Sequence, residues 1–242
     1  MLQLENISVY YGAQMALEGL YYSFEPGHVY GLVGPNGCGK STLMKVSAGL
    51  LKRYSGNALW QGRKIDNAAR SSIAYLPTHP VYYRYMTPAE MGNFYSDFFS
   101  DFNMEEYNRM IAFFGLNPEQ KLGNMSTGMV AKVRVAATLS RNAGVILLDE
   151  PLNGIDLLGQ EQIRQIIKSI DKTGRIIIVA SHMFDQLEAV CDFVVMMNEG
   201  KVIFHGDIGQ LRAQYDMSVS DIYRMTYAQL YQAKAMGGMK IW

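Results

Sequence analysis

Long apolar runs are missing from this 242-residue chain. Residues 145–148 and 176–180 are among the longest, and both are strand-length, far short of the roughly 20 residues that cross a bilayer. No basic stretch followed by an apolar run and a cleavage site opens the sequence. Charge of one sign is missing too, since 22 Lys+Arg balance 22 Asp+Glu. A chain whose main partner was a nucleic-acid backbone would carry a basic excess, so nucleic acid is disfavoured. Cysteine is scarce: Cys38 and Cys191 are too few for a disulfide framework and lack metal-ligand spacing. What remains is a soluble, cytoplasmic chain able to bury a substantial core, which reaches a membrane only through a partner.

What is present centres on Gly34-Pro35-Asn36-Gly37-Cys38-Gly39-Lys40-Ser41-Thr42, which fits G-x-x-x-x-G-K-[ST]. An apolar run over residues 28–33 leads in and a helix-like run over 40–50 leads out, the context this motif demands. Glycines let the backbone fold so that successive N–H groups point at an anion, and the following helix N-terminus adds positive potential. Phosphate is the expected occupant. Lys40 would span the β- and γ-phosphates, Ser41 would offer a hydroxyl to Mg²⁺, and Thr42 would help cradle the α/β region. Cys38 stands beside Lys40 at the helix start, either as an activated thiol or as a small loop filler.

The rest of the chain alternates strand and helix signals. Residues 2–9 and 15–24 read as strands flanking a turn at Tyr10-Tyr11-Gly12, and 57–60 and 72–76 as further strands. From residue 77 to about 123 aromatics crowd in and helix signals take over. Thr87-Pro88-Ala89-Glu90 is a capping box with proline at the first helical position, Asn103 and Glu106 start a second helix, and Gly115 stops it. These rings recur at helical spacing and read as core of a helical subdomain, with an aromatic edge available to a membrane partner. Ser126 reads as the N-cap of a helix reaching about residue 141. Then strands are expected over 145–148 and 175–180, a helix over 157–170 between them, and a short helix presenting Met183, Phe184, Leu187 and Val190. A hairpin turns at Asn198-Glu199-Gly200, and a helical tail from Ser218 breaks at Gly237-Gly238.

Two further segments carry chemistry. The apolar strand Val145-Ile146-Leu147-Leu148 ends in Asp149-Glu150. A buried strand fixes its carboxyl end, so Asp149 can serve the Mg²⁺ shell while Glu150 faces the attacking water. The next buried strand closes on Ser181-His182, and ligands of a parallel α/β sheet gather at such ends. His182 is therefore read as a γ-phosphate contact.

In combination, the phosphate loop, Met125-Ser126-Thr127-Gly128-Met129, Leu147-Leu148-Asp149-Glu150-Pro151, Asn153-Gly154-Ile155-Asp156 and Ser181-His182 resemble, in content and order, an ABC transporter ATP-binding subunit. The resemblance covers about residues 1–213. It implies an α/β fold: a P-loop NTPase, ABC-type core with an N-terminal antiparallel β subdomain and an inserted helical subdomain. The corresponding division is 1–76 and 142–213 as catalytic core, 77–141 as helical subdomain, and 214–242 as a short helical C-terminal tail. It also implies ATP and Mg²⁺ as cofactors, with Asn36, Gly37, Cys38, Gly39, Lys40, Ser41 and Thr42 around the phosphates. Tyr11, or its neighbour Tyr10, resembles the aromatic that stacks on adenine. Glu150 resembles the catalytic base, His182 the switch histidine, and Asp156 the acid of the loop linking two sites across a dimer. Ser126 and Gly128 resemble the segment that binds the γ-phosphate held by the opposite subunit of a head-to-tail pair.

Two departures stand out. Thr78 occupies the place where the family usually has glutamine, so direct metal contact from this side chain is in doubt, and His79 or a water is the substitute. MSTGM replaces the common LSGGQ, keeping the serine and second glycine and losing the glutamine. Slow but real hydrolysis is expected. The implied function is a motor subunit that drives a separate transmembrane permease at the cytoplasmic face of the membrane, with a second ATP-binding subunit, either an identical copy or a paralogue. Export of a drug, lipid or peptide is the family-level expectation. The alternatives are an ABC ATPase acting on ribosomes or DNA, disfavoured by a single unit and zero net charge, and an ATP sensor with little hydrolysis.

Overall fold

The fold is seen in a computed structural model that describes residues 1–79, 82–183, 185 and 187–235, with side chains up to residue 231. Alternating buried and exposed side chains suit the first two strands to a half-buried sheet. β1 (Leu2–Tyr11) and β2 (Gln14–Phe24) pair antiparallel. Tyr10 and Tyr11 belong to β1 rather than to the expected turn, because Tyr11 still pairs with Gln14 and only two residues are left to reverse the chain. β3 (His28–Val33) leads through the glycine-rich loop into α1 (Lys40–Ser47). This helix stops before Leu50 because Gly49, at φ 66°, takes the left-handed conformation that ends helices. β4 (Ser55–Trp60), the short β5 (Arg63–Lys64), one turn of helix α2 (Asn67–Arg70) and β6 (Ile73–Leu76) follow.

The aromatic segment is helical, as its caps predict. α3 (Pro88–Phe98) opens on a complete capping box: Glu90 N–H donates to Thr87 Oγ1, and Thr87 N–H donates to the Glu90 carboxylate. α4 (Met104–Phe113) is capped by Asn103, and Gly115 at φ 66° stops it. Tyr107 is fully buried and donates to the Pro88 carbonyl at 2.8 Å, while Tyr83, Tyr85 and Phe98 stay exposed. α5 (Thr127–Leu139) starts at the Ser126 cap.

The α/β alternation resumes with β7 (Val145–Asp149), α6 (Leu157–Ser169), β8 (Ile176–Ser181), β9 (Phe193–Asn198) and β10 (Lys201–Asp207). Phe184, part of the short helix expected after β8, lies outside the described residues; Leu187 and Val190 are buried in a hydrogen-bonded turn. β9 and β10 turn at Glu199-Gly200, with φ 46° and 77°, the paired positive values of a tight hairpin. α7 (Ile208–Tyr215) and α8 (Val219–Ala235) end the described chain, and the expected Gly237-Gly238 break falls beyond it.

Two sheets result: four strands in the order β2-β1-β4-β5, and six in the order β10-β9-β3-β8-β7-β6. In the second sheet β9, β3, β8, β7 and β6 are mutually parallel, with Val33 opposite Ser181 and Asp149 opposite Ala180. The chain segments leaving β3, β7 and β8 therefore emerge side by side. One core, holding Leu43, Leu147 and Ile178, fills the space between the sheets and α1. The other, holding Ile146, Ile163 and Ile177, lies on the opposite face beneath α3 to α6. Both faces of β7 and β8 are thus buried, which explains why their sequences are unbroken apolar runs.

Candidate functional site

The three parallel strand ends open onto a cavity of about 360 Å³. Its walls carry Tyr11, Asn36, Gly37, Gly39, Lys40, Ser41, Thr42, Thr78, Glu150 and His182. Gln14, Ala16 and Asn153 also line it, and the sequence carries no signal for them because their places depend on long-range packing of β2 and of the turn after β7.

The loop shape follows from its glycines. Gly39 caps α1 at φ 109°, and a Cβ there would come within 2.6 Å of the Ala16 carbonyl. Gly39 puts no side chain at the helix N-terminus. The first residues of α1, Lys40, Ser41 and Thr42, line the cavity, where the free N–H groups of a helix start suit an anion. Lys40, 6% exposed, turns back and donates to the carbonyls of Gly34 at 2.6 Å and Pro35 at 3.2 Å. Cys38 lies beneath the loop and does not line the cavity; its N–H donates to the Pro35 carbonyl. Burial pushes its thiol pKa up, outweighing Lys40 nearby, which leaves the loop-filler reading and removes the activated thiol.

Glu150 follows β7 with φ 53°, an uncommon conformation for a non-glycine residue. It aims the carboxylate at the next strand end. Glu150 Oε1 accepts from His182 N–H at 2.9 Å and lies 2.9 Å from His182 Nδ1, and Ser181 Oγ donates to Oε2 at 3.3 Å. Base candidate and switch candidate are in direct contact. Asp149 sits one residue behind, 2% exposed. Its Oδ2 accepts from the Tyr75 hydroxyl at 3.4 Å, whereas Oδ1 is buried without a partner among the described residues. Burial first, and then Asp149, push the Tyr75 pKa up, so this hydroxyl stays a donor.

Thr78 lines the cavity, and its buried hydroxyl has no partner among the described residues. The backbone around it is held from α5: Arg134, 9% exposed, donates to the Pro77 carbonyl and, at 3.4 Å, to that of His79. Arg134 therefore ties the helix that begins at Ser126 to the segment bearing Thr78, a link no local motif announces.

Ser126, Gly128 and Asp156 do not line this cavity. Ser126 Oγ accepts from Met129 N–H at 3.2 Å and Asp156 Oδ1 from Gly159 N–H at 2.6 Å, each capping a helix. The two segments are adjacent, since a Cβ on Gly128 would come within 3.1 Å of the Gly154 carbonyl. Directly after Asp156, Leu157 and Leu158 are 81% and 72% exposed.

The family model described as ABC transporter matches residues 17–153, more than half of the chain. The chain belongs to the ABC transporter family. It is 29% identical over 231 residues to the lantibiotic transport ATP-binding protein SrtF of Streptococcus pyogenes, covering 90% of this chain and 93% of that one. With the linearmycin resistance ATP-binding protein LnrL of Bacillus subtilis it shares 30% identity over 214 residues, 85% of this chain and 69% of the relative. Across the relatives the chain spans between 34% and 93% of the other protein's length. The solved ATP-binding subunit of an ABC transporter superimposes with a TM-score of 0.81 at 25% identity, over 94% of this chain and 99% of that one. Fold class and membership of the ABC ATPases thus follow from sequence and structure together. Among the described residues of this ABC ATPase no helix is long and apolar enough to cross a membrane.

Proposed function

We propose that this chain is the ATP-hydrolysing motor subunit of an ABC exporter, binding MgATP in the cavity at the strand ends and pairing head-to-tail with a second ATP-binding subunit. The observation that carries this reading is the division of the site. Lys40, Ser41, Glu150 and His182 converge on one cavity, while Ser126 and Gly128 lie outside it, with Gly128 against the Gly154–Ile155 segment that leads to the exposed Leu157 and Leu158. An anion-binding helix start beside exposed apolar surface suits a second subunit presenting its own nucleotide.

The residues fit Mg²⁺ and ATP. Among the described residues, a buried oxygen of Asp149, just behind the cavity wall, and the Thr78 hydroxyl lack partners, and with the Ser41 hydroxyl they would supply the hard oxygens that Mg²⁺ takes. When bound, Mg²⁺ supplies positive charge that neutralises the phosphates. Lys40 trades its bonds to the loop carbonyls for bonds to phosphate oxygens, and the α1 N–H groups cradle them. Tyr11 offers a half-exposed ring at the cavity mouth for the base. Glu150 takes the proton of the attacking water; its bonds from His182 and Ser181 fix its direction beforehand. Ser126 and the Gly128 amide donate to the γ-phosphate of the facing subunit, at about 1.5–3 kcal/mol for each bond to a charged group. ADP loses these bonds, so hydrolysis opens the pair.

The names of the lantibiotic and linearmycin relatives support export of a peptide, lipid or drug. The exposed rings of the helical subdomain suit docking to a separate permease at the cytoplasmic face of the membrane. A Glu150→Gln chain tests the assignment: it should bind ATP, accumulate as an ATP-bound dimer, and release phosphate about 10²- to 10⁴-fold more slowly. Unchanged turnover would remove Glu150 as the base. A wild-type chain that binds ATP yet releases no phosphate, alone or with its copurified membrane partner, would instead be an ATP sensor.

A further inference from the structure

The C-terminal helix reaches the back of the phosphate loop. Tyr227 of α8 is 7% exposed, and its hydroxyl donates to the Met197 carbonyl at the end of β9. That hydroxyl also lies over Gly34 of the loop, where the space that a Cβ would fill is closed off by the Met197 carbonyl, by the Cys38 sulfur at 2.7 Å and by Tyr227 Oη at 3.1 Å. Gly200 N–H, from the β9–β10 turn, donates to the Cys38 carbonyl at 2.9 Å beside it. Gly34 and Cys38 of the loop are therefore backed by Tyr227, by the Met197 carbonyl and by the β9–β10 turn. Tyr223 packs against Tyr227 with centroids 4.6 Å apart and the rings tilted by 51°.

The other end of α8 is fastened to residues that follow His182 in the chain. Glu188, with a side chain 10% exposed, accepts from Val219 N–H at 3.0 Å, Ser220 N–H at 3.3 Å and the Ser220 hydroxyl at 2.9 Å. Arg212 Nη2 donates to it at 2.8 Å. A carboxylate at a helix start is favoured by the free N–H groups there. One turn further along α8, Arg224 pairs with Asp185 at 3.1 Å.

We propose that α8 is a strap joining the segment after His182 to the back of the phosphate loop, with Tyr227 as a positioning residue that holds residues 34–39 in their anion-cradling shape. The hydroxyl suits this task, because burial pushes its pKa up and keeps it a donor. Loss of the strap leaves every cavity-lining side chain in place and lets the loop move away from the geometry that Lys40 and the α1 N–H groups need. The effect on nucleotide rests on the reading of the cavity as an MgATP site; the effect on the loop does not.

Tyr227→Phe keeps the ring and removes the hydroxyl, and Glu188→Gln loosens the far end of the same helix. In nucleotide-free protein, amide hydrogen exchange over residues 34–41 should speed up severalfold in both variants, while exchange in β7 and β8 holds and the melting temperature falls by only about 2–4 °C. MgATP should bind about fivefold more weakly to Tyr227→Phe, the loss expected for one neutral hydrogen bond, with kcat at saturating MgATP unchanged. Unchanged loop exchange in both variants, or faster exchange throughout the molecule, would overturn the strap. A wild-type chain that fails to bind MgATP, with loop exchange still responding to Tyr227→Phe, would sink the nucleotide reading and keep the strap.

Discussion

The surroundings of residues 34–42 and of residues 126–129 differ more than their sequences do. Both are glycine-containing turns that open a helix, and both leave backbone N–H groups free to meet an anion. The first sits at the carboxyl ends of buried parallel strands, where Glu150, His182 and Thr78 converge on it. The second lies outside that cavity, with Gly128 against Gly154, shortly before the Asp156 cap and the exposed Leu157 and Leu158. An anion-binding turn becomes a reaction site only where other elements bring a base and a cation to it. In the proposed pairing, a second subunit would bring its own base and cation to the turn at Ser126.

The largest effect that can break this comparison comes from disabling one turn at a time. Lys40→Ala should abolish both nucleotide binding and turnover. Gly128→Asp places a carboxylate where the facing phosphate would lie, so it should abolish turnover while leaving ATP binding by the isolated chain within about twofold, since repulsion needs charges close together. Equal loss of ATP binding in both variants, measured by titration, would mean that the two turns serve one nucleotide in one chain.

A smaller effect sharpens the first half. Thr78→Val keeps the shape and removes a buried hydroxyl that has no partner among the described residues. Stability should hold or rise slightly, because an unsatisfied buried polar group costs about 1–3 kcal/mol, while turnover should fall severalfold if the hydroxyl meets Mg²⁺ or water. A gain in melting temperature with unchanged turnover would remove Thr78 from the site.

Much of the fold was legible because it rests on local chemistry. The unbroken apolar runs of β7 and β8 reflect burial on both faces, and Thr87, Asn103 and Ser126 all cap the helices that their side chains announce. The cavity-lining residues of the phosphate loop, with Glu150 and His182, were legible for a related reason, since strand order alone brings those ends together. Contacts made by residues far apart in sequence were not. Nothing around Arg134 marks its bonds to the Pro77 and His79 carbonyls, nothing in Tyr75 marks its bond to Asp149, and Tyr227 reaches Met197 across 30 positions. The turn expected at Tyr10-Tyr11 failed because strand pairing continued through residues whose sequence also suits a turn. Cys38 was open between two readings until burial decided it.

The smallest expected effect concerns pH. Bonds from Arg212, Val219 and Ser220 outweigh burial and hold the Glu188 carboxyl below its ordinary pKa. A lowered folded-state pKa contributes stability above the ordinary glutamate value, and that stability is lost as pH falls through the folded value. Acidification should therefore speed amide exchange at the start of α8 before the core strands respond, and Glu188→Gln should remove that step. The same acid response in both chains would place its origin elsewhere.

Mixing two inactive chains tests the divided site most directly. A Lys40→Ala chain keeps a good Ser126 turn, and a Gly128→Asp chain keeps a good phosphate loop. Head-to-tail pairing of the two creates one complete site from the intact halves. Equimolar mixing should restore phosphate release to about a quarter of the wild-type rate, because half of the pairs are mixed and each mixed pair has one of its two sites complete. No recovery on mixing, with mixed dimers confirmed by mass, would contradict a site shared between subunits.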